Sequence, residues 1–195
     1  MNTPSHIILN LAILGRRSQP QWNPHIALGA FIPDAAMFVF YGWTRVIRDL
    51  PERQIWGTLY YDPTWQTIFD LWNSIPLALL GVATGLWLRR RRQTQMLGSA
   101  IALCCASIIL HCLEDLPTHR EDAHRHFWPL SNFRFESPIS YWDPNHYGDI
   151  FAPIELAIVL LSSLYVFRLV RSRWGRGLLI AVNIFLCLGY LGFYF

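Results

Sequence analysis

Histidine and carboxylate side chains together are the usual ligands of zinc and related divalent ions, and this chain concentrates them. The stretch from His111 to His146 holds five of the seven histidines and six of the thirteen carboxylates. It begins His111-Cys-Leu-Glu114-Asp115-Leu-Pro117-Thr-His119-Arg-Glu121-Asp122-Ala-His124-Arg-His126, directly after an apolar run. Ionisable groups beside hydrocarbon are expensive and persist where they pair or line a cavity. His111 and Asp115 are spaced i, i+4, so a helix stacks them on one face. Such a pair can bind one ion, or its carboxylate can bridge two; the alternative is a helix-end histidine hydrogen-bonded to an acid. His119 comes two residues after Pro117, where the chain can turn back toward His111. His119, His124 and His126 are each either a ligand or a solvated loop residue. His25 and His146 read as capping, interfacial or solvated groups.

Three further acids stand in apolar surroundings. Asp34 ends Gly29-Ala30-Phe31-Ile32-Pro33-Asp34 with no polar neighbour on its own helix, so it needs a partner from elsewhere, and His6 is the natural one. Its alternative is to cap a helix resuming after Pro33. Asp70 with Asn73 and Ser74 forms a polar i, i+3, i+4 face. Glu155 either joins the same site or sits in a first helical turn, where the macrodipole favours an acid.

These residues must be positioned by membrane spans. Of the 195 residues, 53% are hydrophobic, 15% aromatic and only 15% charged, against roughly 25% charged in a soluble domain. Without linker, repeat or low-complexity segment, residues 1–195 read as one membrane-embedded, all-α domain. Five segments approach the ~20 residues a span requires: Pro24 to Trp43, expected to break at Pro33, Pro63 to Leu88, Met96 to Leu116, Pro153 to Val170 and Gly177 to Phe195. Pro4 to Leu14 is apolar but too short, and reads as a half-helix or re-entrant piece. Met1 to Gly15 lacks a basic n-region and a cleavage site, so no cleavable signal peptide is expected. Cys104, Cys105, Cys112 and Cys187 lie in apolar runs without zinc-finger spacing and read as buried free thiols.

All sixteen basic residues are arginine. Eight of them lie in two short loops, Arg89 to Arg92 and Arg168 to Arg176, which reads as a membrane orientation signal rather than a nucleic-acid footprint. By the positive-inside rule those loops are cytoplasmic, with Arg16 and Arg17, and Pro117 to Ala152 forms a His-rich outer loop. Asp70 and His111 each stand nineteen residues from the arginines, about 28 Å along a helix. With Asp115, Glu114 and Glu155 they converge on the outer interface, where Trp65, Trp72, Trp128, Tyr141, Trp142 and Tyr147 form an aromatic belt.

The order Thr3-Pro4-Ser5-His6, then Gly29 to Asp34, then His111-Cys-Leu-Glu-Asp115 at the end of an apolar helix resembles the YdjM-type family of predicted membrane-bound metal-dependent hydrolases. That family is distantly similar to the zinc-dependent phospholipase C and single-strand nuclease group, all-helical enzymes with a cluster of metal ions. The resemblance covers roughly residues 3 to 120 and implies that His6, Asp34, His111 and Asp115 are metal ligands. Such proteins commonly carry Arg-x-x-Thr-His-Ser entering the second span. Here the region reads Phe69-Asp70-Leu71-Trp72-Asn73-Ser74, and Asp70 is the available oxygen substitute.

The expectation is a multi-pass protein of a bacterial inner membrane that binds a divalent metal, zinc first, and hydrolyses an ester or phosphoester at the non-cytoplasmic face. His6, Asp34, His111 and Asp115 form the metal shell, helped by Asp70 and His119. Glu114 or Asp122 acts as general base, and Arg120 or Arg125 binds an anionic group. The expected partners are membrane lipid and a small-molecule or lipid-like ester, with no nucleic acid. The rival is a non-enzymatic scaffold or assembly factor whose aromatic-rich segment Phe127 to Tyr147 docks a partner.

Overall fold

The computed structural model describes residues 1–194, and among them every regular element is helical. Proline and glycine set several boundaries. Helix α1 (Thr3–Leu14) has Pro4 in its first turn, where a missing N–H costs nothing, and the Gly15 N–H closes its end on the Leu11 carbonyl. Helix α2 (Asn23–Tyr41) runs on into a π turn, Gly42–Ile47. The short α3 (Glu52–Gln54) leads to α4 (Pro63–Trp72), which Asp62 caps by accepting from the Thr64 N–H. Then come α5 (Ile75–Arg89), α6 (Gln95–Asp115), α7 (Gly148–Leu169) and α8 (Arg173–Tyr194).

Five helical segments are long and apolar enough to cross a membrane: 20–47, 63–89, 95–115, 148–169 and 173–192. They correspond to the five segments expected from hydropathy, with shifted ends. The fourth starts five residues earlier than Pro153, because Pro153 is tolerated within the first turns of α7. The fifth starts at Arg173, and its expected last residue, Phe195, lies outside the described residues.

Two expectations about breaks are reversed. Pro33 does not interrupt α2, which is continuous from Asn23 to Tyr41. Polar groups from neighbouring segments bond to the carbonyls around it: His111 Nδ1 reaches the Ala30 carbonyl at 2.7 Å, Asn73 reaches that of Pro33 at 3.4 Å, and Ser107 Oγ reaches that of Ile26 at 2.7 Å. These bonds pin α2 to its neighbours around Pro33; the carbonyl that the proline deprives of a helical N–H is that of Gly29, which none of the three reaches. The second span is instead the broken one. It divides at Asn73–Ser74, where Ser74 caps α5 by accepting from the Leu77 N–H, and the Ile75 N–H turns to the His126 carbonyl at 2.9 Å.

Cross-helix contacts establish directions. His6 meets Glu114 and Asp115, and Asn10 meets Ser107, so α1 runs opposite to α6. Ile26 and Ala30 meet Ser107 and His111, so α2 runs with α6. Asn2 meets Glu155 and Gly15 lies against Leu169, so α7 runs with α1. Close packing depends on missing side chains: a Cβ at Gly29 would lie 2.1 Å from the Cys104 carbonyl oxygen, and one at Gly98 would lie 2.5 Å from that of Gly85. Small residues let apolar helices approach closely where no hydrophobic force separates them from lipid.

The molecule therefore has two ends. At one, Arg171 donates to the Arg17 carbonyl at 3.1 Å, near the base of α1 and α7. At the other, residues 116–147 fold over the helix tips. This loop is held by Ser137 N–H to the His119 carbonyl, Tyr141 N–H to that of Thr118, and a short bond from Ser74 Oγ to that of Trp128. His119, His124 and His126 are all buried beneath it, which decides against their being solvated.

Candidate metal centre

Three separate elements deliver the site. α1 brings His6, α2 brings Asp34, and the last turn of α6 brings His111, Glu114 and Asp115. One ligand atom from each of His6, Asp34 and His111 lies within 4.8 Å of the others. Zinc with bonds of about 2.0–2.1 Å spaces tetrahedral ligand atoms about 3.4 Å apart, so a contraction of roughly an ångström closes this group around an ion.

The ring nitrogens are already assigned by their partners. His111 Nδ1 faces the Ala30 carbonyl and His6 Nδ1 faces the Glu114 carboxylate at 2.7 Å; both oxygens only accept, so each Nδ1 is a donor. In the neutral rings the lone pair is then on Nε2. These two Nε2 atoms stand 3.0 Å from the two oxygens of Asp115, and His111 Nε2 is 3.7 Å from Asp34. Neither Nε2 makes a hydrogen bond, because those oxygens lie off the direction an N–H would take. The rings stack with centroids 3.7 Å apart and planes 23° from parallel. Two stacked imidazoles with free nitrogens aimed among carboxylates fit a shared cation. A histidine whose second nitrogen donates to a carbonyl or carboxylate is also the usual arrangement of a metal ligand.

The surroundings complete the charge pattern. Thr3 Oγ1 donates to Asp34 at 2.5 Å. His119 Nε2 lies 3.0 Å from Asp115, and its Nδ1 lies 3.0 Å from Asp122. The Met1 amino group is 3.1 Å from Asp115 and 3.0 Å from His119 Nε2. Burial opposes protonation of His6, but Asp115 and Glu114 outweigh it and lift the ring to about 9, so a cation binding at Nε2 displaces a proton. His124 goes the other way: burial, with His126 and His119 beside it, pushes it down to about 3, so it stays neutral. A cavity of about 130 Å³ adjoins this group, with Asp34, Tyr60, His119, Asp122, His124 and Tyr141 in its wall; His6, His111 and Asp115 lie behind that wall.

Several residues singled out in the sequence stand elsewhere. Asp70 is fully buried and bonded through both oxygens to Arg125, at 2.5 Å from Nε and 2.8 Å from the backbone N–H. It lies outside the group formed by His6, Asp34 and His111, with His124 Nδ1 only at 3.9 Å. Arg125 is committed to that pair. Arg120 lies against Glu121 and the Ser137 carbonyl, away from the cavity wall. Glu114 contacts His6 and does not line the cavity, whereas Asp122 does. Glu155 accepts from the Asn2 N–H at 3.1 Å. His146 pairs with Asp143 on the loop, and His25 lies near Trp22 at the arginine end. Sequence reasoning did not assign roles to Thr3, or to the Ala30 carbonyl that orients His111; the Thr3-Pro4-Ser5-His6 string carried the signal for the first.

Comparison with protein-family models, with curated proteins and with solved structures finds no match for this chain.

Proposed function

We propose that this chain is a multi-pass membrane protein with a metal-dependent hydrolase site at its non-cytoplasmic end, zinc being the ion its donor set fits. The observation that carries the reading is the pair of buried Nε2 atoms, of His6 and His111, aimed without hydrogen bonds into one space beside Asp34 and Asp115. When bound, the ion would supply Lewis-acid polarisation of the scissile group and a water whose pKa falls from 15.7 to about 7.

The chain's own residues divide the remaining work. Glu114 and the Ala30 carbonyl hold the two rings in one tautomer, and Thr3 orients Asp34. Asp122 beside His119 Nδ1 is the cavity-lining carboxylate positioned to take a proton from the attacking water. Among the described residues no arginine lines the cavity. A wall of carboxylate and imidazole favours a neutral ester or a phosphodiester monoanion over a doubly charged phosphomonoester. The site lies about 24 Å along α6 from its start at Gln95, which is headgroup depth if the arginine end is cytoplasmic. A membrane with the arginine end on its cytoplasmic face is the setting we assign on that orientation.

The test is metal analysis of the purified protein before and after chelation. About one equivalent of zinc or more is expected in the wild type, and a loss of at least about tenfold in affinity when a ligand is removed in His6→Ala or His111→Ala. Undiminished metal in the double variant would sink the assignment. Asp122→Asn should keep its metal and lose turnover, by about 10²–10⁴-fold for a lost general base.

One observation favours the scaffold reading. Leu130 and Phe133 on the outer loop are more than half exposed, a surface a protein partner could cover. Stoichiometric metal with no ester or phosphoester turnover would move the balance to that reading.

A further inference from the structure

Beside the site cavity is a second, larger one of about 340 Å³, between the long loop and α8, with Tyr141, Trp142, Phe185, Gly189 and Tyr190 in its wall. We infer that it receives a hydrocarbon chain of the membrane lipid whose ester linkage the neighbouring site cleaves; the inference rests on the hydrolase reading and names its substrate class.

The two cavities are continuous in their walls, since Asn2 and Tyr141 line both. Asn2 is the partition. Its neighbours on either side enter the polar site, Met1 toward Asp115 and Thr3 toward Asp34. Its own backbone N–H goes to Glu155 at 3.1 Å and its side chain to the Tyr190 hydroxyl at 2.7 Å. With those polar groups engaged, the larger cavity presents mainly aromatic rings and aliphatic carbon. Water fills such a space poorly, because it needs two to four polar partners.

The occupant must therefore be apolar, and it must reach the cavity from the side of α8. That helix is a candidate span whose outward side chains, Phe185, Leu188 and Leu191, are exposed apolar groups. A molecule entering there comes from hydrocarbon, and one whose polar end then reaches Asp34 and Asp122 is amphiphilic. A membrane lipid has that form, and because Gly189 and Tyr190 stand about 24–26 Å along α8 from Arg173, level with the site, its chain would lie beside the linkage. A chain moving from bilayer hydrocarbon into this cavity exchanges one apolar surrounding for another and gains no hydrophobic free energy, so the cavity's part is to align the lipid while the linkage is presented to the site.

Gly189 leaves the cavity open. A Cβ at this position meets no atom within 4 Å, so a large side chain can occupy the space without pushing on backbone. Gly192, on the same helix, is equally unobstructed but does not line the cavity, which makes it a matched control.

The experiment uses the full chain in phosphatidylcholine nanodiscs containing a phosphatidylcholine with a diazirine midway along one chain. After irradiation, the labelled residues are mapped by mass spectrometry. Labelling should concentrate at 141–142 and 185–190. It should fall to the level of other lipid-facing side chains in Gly189→Phe, whose ring fills the space, and stay at the wild-type level in Gly192→Phe. Leu186→Trp should reproduce the loss, and unchanged bound metal in all three variants would show the fold intact. Labelling spread evenly over the lipid-facing side chains of all spans, or undiminished in both Gly189→Phe and Leu186→Trp, overturns the inference. A cross-link between two copies of the chain through α8 would do the same by assigning the groove to a second protomer. His111→Ala separates the two claims: labelling retained with metal lost supports the chain site independently, so a failure at the metal leaves this result to be read by itself.

Discussion

Glu114 touches His6, and that contact changes what its removal should do. As a general base facing the cavity its loss would spare metal binding and abolish turnover. As the acceptor for His6 Nδ1 at 2.7 Å it holds the ring so that Nε2 faces the centre. Glu114→Leu should therefore weaken zinc binding by about 10–100-fold, the range for lost outer-shell partners of metal-ligating histidines. Competition with a chromogenic chelator measures this. Wild-type affinity with slowed turnover would return Glu114 to the role of base.

Asp70 makes the opposite case. Its carboxylate is buried and both oxygens are taken by Arg125, whose side chain is 23% exposed. Removing one partner of a buried pair strands the other, and Asp70→Ala should cost roughly 3 kcal/mol, the low end of the range because Arg125 reaches solvent. Thermal unfolding in detergent would register the loss. Bound metal should stay at the wild-type level; a drop with the fold retained would make Asp70 a ligand after all.

At the scale of elements, the site depends on how closely α2 lies against α6. Gly29 has no room for a Cβ, the nearest obstacle being a backbone oxygen of α6 that cannot rotate away. The next residue, Ala30, supplies the carbonyl that orients His111, and Asp34 follows a little over one turn further on. Gly29→Leu should force the helices apart at a cost of about 1–3 kcal/mol and lower metal occupancy, although no ligand is altered. Metal content measured alongside Tm would show this, and a variant that unfolds less readily or binds metal normally would mean that α2 is not placed by this contact. Ser107, His111 and Asn73 also hold α2 against its neighbours over the turns around Pro33.

For the whole molecule, the decisive property is which end faces which compartment. Arg17 and Arg171 meet at one end, and Arg89 to Arg92 follow α5 at the same level, while residues 116–147 cover the other. Arginine in short loops is retained on the cytoplasmic side. In a background stripped of its four cysteines, Ser131→Cys should thus react with a membrane-impermeant maleimide added from the non-cytoplasmic side. Labelling only from the cytoplasm would invert the molecule and move the proposed chemistry to the other face.

Sequence alone determined the helical class, the five apolar segments and the common depth of His111, Asp115 and Glu155, because hydropathy and the rise per residue are local properties that add along a chain. It also marked His6 and Asp34, since an ionisable group in an apolar run needs a partner wherever that partner lies in sequence. Which partner each acid takes was decided by tertiary structure alone. Asp70 and Glu114 are ionisable groups in apolar context no different in kind from Asp34 and Asp115, yet a loop arginine claims the first and a histidine from α1 the second. The helix break moved from Pro33 to Asn73–Ser74 for the same reason: there the Ile75 N–H turns to the His126 carbonyl and the Ser74 hydroxyl to that of Trp128, partners on a distant loop. The burial of His119, His124 and His126 was likewise illegible, because a loop's backbone is folded by bonds such as Ser137 to His119 and Tyr141 to Thr118, pairings that no periodicity records.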